Sequence, residues 1–308
     1  MPPSAAPPRS PIAALRRSQR RTAVLFITPF FLLFTTMTAA PVLYSVWMSL
    51  FREQASSGLG FGGTRRAFVG LANYTRALSD PVFLESFLNV ASYCAFYIPI
   101  MVGTGLALAL VLDSAYARAK RFFQLALFLP HAVPGLIATI IWIYLYTPGL
   151  SPVLDWIQAA GGEWDFFSGG HRLSSLINMA LWQWVGYNMI IFFAALQAVP
   201  REVVEAAVVD GAGAWRTALQ IKVPYIRSTV VLTVLFTCVG AVQLFTEPKV
   251  LSSRAASVGE WSPMIYIVNR AFVDHDYGAA AAGAILLAAV AGGLSYVVTT
   301  LGNRWKEA

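Results

Sequence analysis

Apolar and polar positions along this chain are segregated into blocks. Six stretches contain no Asp, Glu, Lys or Arg: 22–51, 86–112, 122–154, 173–200, 228–246 and 277–303. As a helix rising about 1.5 Å per residue, each is long enough to cross a hydrocarbon core of about 30 Å. The pattern predicts an all-α membrane protein with six transmembrane helices, at about 22–51, 86–112, 122–147, 173–200, 228–246 and 277–303. An outer-membrane barrel does not fit, because its strands are about ten residues long and alternate with period two. Prolines recur inside the windows at 29, 41, 99, 130, 134 and 148. In a bilayer these kink a helix and free carbonyls that neighbours or water must satisfy. Small residues cluster at Gly103-Thr104-Gly105 and from Gly278 to Gly283, as close helix packing requires.

Composition sharpens this picture. Of the 308 residues 57% are hydrophobic and 12% charged, about half the charge of an ordinary soluble domain. Every formal charge lies outside the six windows. A soluble enzyme, a disordered chain and a disulfide-rich secreted domain are excluded. The apolar run after Arg16, Arg17, Arg20 and Arg21 is far longer than the roughly 7–15 residues of a secretory core. It reads as a retained first helix behind a tail, 1–21, whose Pro-rich first 15 residues are read as disordered. Cys94 and Cys238 both fall within windows and read as packing residues.

The connections carry the orientation. One alternating set (1–21, 113–121, 201–227 and 304–308) holds 14 Lys and Arg against 5 acids, and the other (52–85, 155–172 and 247–276) holds 8 against 10. The positive-inside rule puts the first set, and so both termini, in the cytoplasm. The net charge of +7 is thereby explained by topology, with lipid as the partner and no nucleic acid.

Candidate chemistry is sparse. Ion-coupled carriers usually keep ionisable residues at membrane depth, and here His131 is the one titratable candidate among the spans. A lone His flanked by prolines is more often a packed residue than a proton relay. The four lysines follow Ala, Ile, Pro and Trp, so the chain has no Gly-Lys-Ser/Thr phosphate loop. His131, His171 and His275 lie in separate segments without metal-ligand spacing. No catalytic or metal-binding residue is assigned, and any energy for transport must enter from outside.

The connection 201–227 is long for a helical bundle. Pro200 suits the first turn of a new helix, and Glu202 and Glu205 match that helix's dipole. Val203, Ala206 and Ala207 make a small apolar face. Gly211 and Gly213 permit a reversal, and Trp215, Leu219 and Lys222 follow at helical spacing until Pro224. A helix–turn–helix with an apolar face too small for a core of its own calls for a partner groove.

This loop resembles the EAA loop of ABC-importer permeases. Glu205-Ala206-Ala207, Asp210-Gly211-Ala212, Ile221 and Pro224 stand at the motif's spacing, with Val223 where Leu is usual and Ala218 where an aromatic is usual. The likeness extends over nearly all six predicted helices. It is greatest to the sugar-type permeases of the maltose, trehalose and glycerol-phosphate group. It runs through Leu106–Leu110, Leu129-Pro130 with Pro134 and Trp142, Ala195–Pro200, Tyr266, Ala271-Phe272, and Gly278 with Ala281-Ala282.

The resemblance implies a type I importer fold in the cytoplasmic (inner) membrane of a prokaryote, with 201–224 as the coupling loop. That loop would dock on a separate ABC ATPase. Glu205 would pair with a basic group there, Gly211 would permit the turn, and Ala206 and Ala207 would allow close approach. The implied partners are two cytoplasmic ATPases that hold ATP and Mg, a second homologous permease forming a heterodimer, and an extracytoplasmic solute-binding protein. No cofactor is implied in this chain.

The helices flanking the loop line the path in maltose-type relatives. The implied path residues here are Trp182, Trp184, Gly186, Tyr187, Asn188 and Met189 on the fourth helix, and Thr237, Gly240, Ala241, Gln243 and Leu244 on the fifth. By spacing, Trp182 and Met189 share a face with Gly186 between them. Aromatic faces with amides suit a sugar, although Trp and Tyr also favour headgroup depth. The absence of Lys and Arg from the spans favours a neutral mono- or oligosaccharide over an anion. Glycerol phosphate or another small solute stays open as cargo, and an ion-coupled secondary carrier as the alternative class.

Overall fold

The computed structural model describes residues 11–55, 64–114, 117–254 and 260–307. Helix α1 (Pro11–Phe34) passes through a π turn at Thr35–Ala39 into α2 (Ala40–Ser49). The helix thus starts inside the segment expected as a tail, and residues 1–10 lie outside the described residues. The π turn precedes Pro41, whose ring cannot approach the carbonyl four residues back. The ladder widens there, and Ala40 N–H donates to Thr35 O.

The connection to the second span holds a feature the helical pattern did not predict. Strands β1 (Phe51–Ala55) and β2 (Thr64–Phe68) pair antiparallel, with Phe51 opposite Phe68 and Glu53 opposite Arg66. The Phe rings meet edge to face at 5.4 Å and the charged pair at 3.6 Å, the cross-strand contacts that stabilise a short hairpin.

Helix α3 (Ala72–Ser79) leads to α4 (Pro81–Asp113), which Asp80 caps by accepting from Val82 N–H at 3.0 Å. The third window does not form the single helix expected over 122–147. It is divided into α5 (Lys120–Phe128), a 3₁₀ turn at Leu129–Ala132 and α6 (Gly135–Tyr146). The two halves are bent by 95°. Pro130 and Pro134 cannot donate to the ladder, so the break falls between them. Gln183 Nε2 donates to the Val133 carbonyl freed there, at 3.0 Å.

The remaining helices are α7 (Pro152–Ala159), α8 (Arg172–Leu196), α9 (Arg201–Val209), α10 (Ala214–Thr217), α11 (Val223–Tyr225), α12 (Arg227–Val242), α13 (Thr246–Leu251), α14 (Pro263–Phe272) and α15 (Tyr277–Glu307). The fifth window, expected as one helix to 246, breaks at Gln243–Phe245 between α12 and α13. Among the described residues five helical segments are long and apolar enough to cross a membrane, or six if the bent α5–α6 pair is one span.

Packing centres on α4 against α8, with α15 against α12, α14 and α2. One apolar cluster joins Phe83, Tyr93, Tyr97, Leu176, Leu251, Trp261 and Tyr266. A second joins Ala109, Leu112, Met189, Phe192, Leu196 and Ile226. Side-chain contacts sort the connections onto two ends. At the hairpin end Asn73 Nδ2 donates to Ser49 O and Phe51 O (2.8 and 2.9 Å), and Arg76 meets Asp276 at 2.8 Å. At the other end Asp113 meets Gln197 and Lys222.

A charged cluster pins α14 to the start of α4 at the hairpin end. Asp80 Oδ2 accepts from Tyr266 Oη at 2.8 Å and Arg270 Nη2 at 2.9 Å, and Arg270 Nη1 reaches Asp274 at 2.8 Å. Burial pushes the Asp80 carboxyl up. The Tyr266 hydroxyl, the Val82 N–H and the Arg270 guanidinium outweigh it and hold the group below the ordinary 3.8. A group lowered by folding stabilises above its unfolded value, and the contribution is lost as pH falls through the lowered one. Asp80→Asn should therefore cost about 2 kcal/mol at neutral pH. In thermal denaturation of the detergent-solubilised protein, its gap from wild type should close as pH drops below about 4.

Candidate functional site

A cavity of about 600 Å³ opens between α4, α8 and α12. Tyr93 and Tyr97, stacked at 4.9 Å, form its α4 wall. Helix α8 contributes Trp184, Tyr187 and Asn188, and α12 contributes Thr233, Thr237, Gly240 and Ala241. The break after α12 brings in Gln243, Leu244 and Phe245, and the first turn of α13 adds Thr246 and Glu247. Glu247 reaches the cavity from the first turn of α13, just past this break. The lining combines aromatic faces with hydroxyls, amides and one carboxylate, and no Lys or Arg is among it. Aromatic rings beside neutral donors and acceptors suit a hydroxyl-rich ligand with apolar C–H faces.

Eight residues singled out from the sequence meet here: Trp184, Tyr187, Asn188, Thr237, Gly240, Ala241, Gln243 and Leu244. Three others do not. Trp182 and Gly186 border a separate crevice beside Leu127 and Pro130, and Trp182 packs edge to face on Trp142 at 5.9 Å. Met189 is fully buried in the second apolar cluster with Ala109 and Leu112. These three do share a helical face, as their spacing requires, but that face packs on α4 and α5. Gly186 is needed there for backbone approach, because a Cβ would overlap the Leu127 carbonyl.

Sequence reading missed Tyr93, Tyr97 and Glu247. The i, i+4 spacing of the two tyrosines was a signal. Glu247 had none, because it looked like the first residue of a polar loop. His131 packs against Tyr187 at 4.5 Å and Trp184 at 4.7 Å, behind the cavity wall.

The second site is the loop between α8 and α12. Pro200 precedes α9 as its N-cap residue rather than opening its first turn. Helix α9 ends in a Schellman turn, in which Gly211 N–H donates to Val208 O (3.0 Å) and Ala212 N–H to Ala207 O (2.9 Å). Gly211 adopts φ +82°, a left-handed conformation at little cost only for glycine. The small face expected from Val203, Ala206 and Ala207 is divided: Ala207 is buried, whereas Val203 and Ala206 are exposed.

Glu205, Ala206, Asp210 and Gly211 all face outward, beside Val208, Val209 and Trp215, which are 60%, 86% and 77% exposed. Ala212 and Ile221 are half-buried. A second π turn, Ala218–Lys222, precedes α11, with Val223 N–H donating to Ala218 O ahead of Pro224. A charged, apolar knob thus projects from the end of the bundle opposite the hairpin.

Residues 77–306 match the family model described as binding-protein-dependent transport system inner membrane component. The chain belongs to that family. The match contains both the cavity and the projecting loop, and the chain is a transport permease rather than an enzyme. Over 276 residues the permease is 28% identical to the arabinooligosaccharides transport system permease protein AraP of Halalkalibacterium halodurans, covering 88% of this chain and 84% of that one. It is also 28% identical, over 270 residues, to the sn-glycerol-3-phosphate transport system permease protein UgpA of Salmonella choleraesuis, covering 85% and 88%. Among solved structures it superposes on a chain of a bacterial alginate ABC transporter in complex with an alginate pentasaccharide-bound periplasmic protein. The TM-score is 0.82 at 17% identity, over 96% of this chain and 98% of that one. A chain of the MetNI methionine ABC transporter matches at TM-score 0.51 and 14% identity, over 73% and 96%. The fold is that of a type I ABC-importer permease.

The packing of Gly186 can be tested directly. Gly186→Ala should destabilise the permease by about 1–3 kcal/mol through overpacking. Gly240→Ala, where a Cβ meets nothing within 4 Å, should stay within about 0.5 kcal/mol of wild type. Thermal melts in detergent distinguish the two.

Proposed function

We propose that this permease is one of two membrane subunits of a binding-protein-dependent ABC importer that moves a neutral carbohydrate inward across a prokaryotic cytoplasmic membrane. The single observation that carries the reading is the exposed Glu205–Ala212 knob standing beneath a cavity built from the same helices that flank it. Two cytoplasmic ATPases bind ATP and Mg, and each permease loop docks on one of them. A second permease completes the pathway, and an extracytoplasmic binding protein delivers cargo at the hairpin end. Basic residues gathered in the connections of the loop end support this orientation.

Cargo chemistry follows from the lining. Glu247 places a carboxylate on the cavity wall with no Lys or Arg among the lining residues. A phosphate ester would meet repulsion there with no compensating cation, whereas hydroxyls can donate to the carboxylate. This supports a saccharide such as that named for the arabinooligosaccharide relative over the glycerol phosphate named for UgpA.

A tagged chain should co-purify with an ATPase and a second permease; isolation of an active, unaccompanied chain would favour a secondary carrier instead. Gly211→Pro and Glu205→Lys should insert normally yet lower uptake about tenfold or more while ATP hydrolysis continues, a coupling loss of at least ~1.4 kcal/mol. Normal uptake by both would sink the assignment. In proteoliposomes the assembled importer should accumulate labelled arabino-oligosaccharide and leave sn-glycerol 3-phosphate outside. The opposite preference would overturn the neutral-cargo reading.

A further inference from the structure

Asp113 is the last residue of α4, and its side chain is only 11% exposed. A carboxylate at a helix C-terminus opposes the macrodipole, and removing it from water adds to that cost. Its position is therefore explained by its tertiary partners. Oδ1 accepts from Gln197 Nε2 at 2.7 Å, and Oδ2 accepts from Lys222 Nζ. Gln197 caps the end of α8, just before α9 begins. Lys222 closes the π turn by which the chain leaves the projecting loop, and is itself 21% exposed. One carboxylate thus holds both feet of the loop 201–222 against the end of a third element.

Beneath this joint the contacts are apolar. Val204 of α9 and Ile226, just before α12, pack on the cluster of Ala109 and Leu112 from α4 with Phe192 and Leu196 from α8. Farther along the same two helices stand Tyr93 and Tyr97 on α4, and Trp184, Tyr187 and Asn188 on α8, which wall the cavity. Asp113 and Tyr97 are about 24 Å apart along a continuous helix at 1.5 Å per residue. Helix α4 runs unbroken through Pro99 and packs along α8, so displacement of its end is delivered to its other end.

We infer that Asp113 is a positioning residue that couples movement of the projecting loop to the α4 wall of the cavity, through its paired hold on Lys222 and Gln197. This rests on the importer reading above, in which partner ATPases move that loop. The pair lies outside the loop's exposed docking face, so its loss leaves the knob itself intact.

The test uses the assembled importer, with its ATPases and partner permease, in proteoliposomes. A Thr237→Cys reporter in a Cys94→Ser/Cys238→Ser background reads cavity access through its rate of reaction with a membrane-impermeant maleimide. In this background ATP plus vanadate should change the labelling rate about fivefold or more. Asp113→Asn and Lys222→Met should each abolish that change while ATP hydrolysis persists. The exchanged pair, Asp113→Lys with Lys222→Asp, should restore it, the Gln197 amide turning to present its oxygen. Full nucleotide response in either single variant would overturn the inference. Loss in the singles without restoration by the exchange would reduce the pair to a structural anchor and also overturn it. If Asp113→Asn fails to assemble, Lys222→Met and the exchange still decide the matter. Absence of any nucleotide response in the reporter background would instead refute the importer reading on which the inference rests.

Discussion

Everything in this fold answers to one constraint: in hydrocarbon a backbone N–H or C=O must find its partner within the protein. Long helices meet it by themselves. Where proline removes a donor, the ladder must widen, stop or borrow a side chain. Each response occurs here. The ladder widens to a π turn before Pro41 and again before Pro224. It stops between Pro130 and Pro134, and Gln183 satisfies the Val133 carbonyl at that break. The Gln183 amide, set in an apolar span, thus serves a backbone carbonyl and is not among the cavity lining.

The same constraint positions function. Irregular backbone at depth is tolerated only where it is covered by protein or lines a cavity, and the Gln243–Phe245 break does line one. Just past it, Thr246 and Glu247 line the cavity together with Tyr93 and Tyr97. The projecting loop obeys the complementary rule. It lies beyond the apolar spans, and its Schellman turn at Gly211 satisfies the end of α9 internally while Glu205 and Trp215 stay outside. Cavity and loop are linked by α4 and α8, whose ends meet at Asp113 and Gln197.

Much of this was legible in the residues. The charge-free windows marked the long apolar helices because helix length and bilayer thickness leave few alternatives, but not the 95° bend that divides the third. Gly211 was legible because a tight reversal after a helix needs a left-handed residue. Trp184, Tyr187 and Asn188 were legible as a polar and aromatic set on one helix. Other features were not legible. Trp182, Gly186 and Met189, read as path residues, lie on the face of α8 opposite Trp184 and Tyr187 and away from this cavity, because periodicity groups residues by face without saying what that face meets. Gly186 faces the Leu127 carbonyl, a contact set by the α5–α6 bend. The β1–β2 hairpin was missed because its stability comes from the Phe51–Phe68 and Glu53–Arg66 pairs across the strands.

The sequence by itself determined the membrane class, the number of apolar segments, the asymmetry of charge between their ends and the loop that marks the family. These depend on local composition and spacing, which the bilayer reads segment by segment. Only the tertiary structure decided which side of each helix meets the cavity, that Glu247 belongs to its wall, and that Asp113 gathers Lys222 and Gln197. Those outcomes depend on bends, breaks and long-range pairing, where one helix's surroundings are fixed by residues far away in the chain.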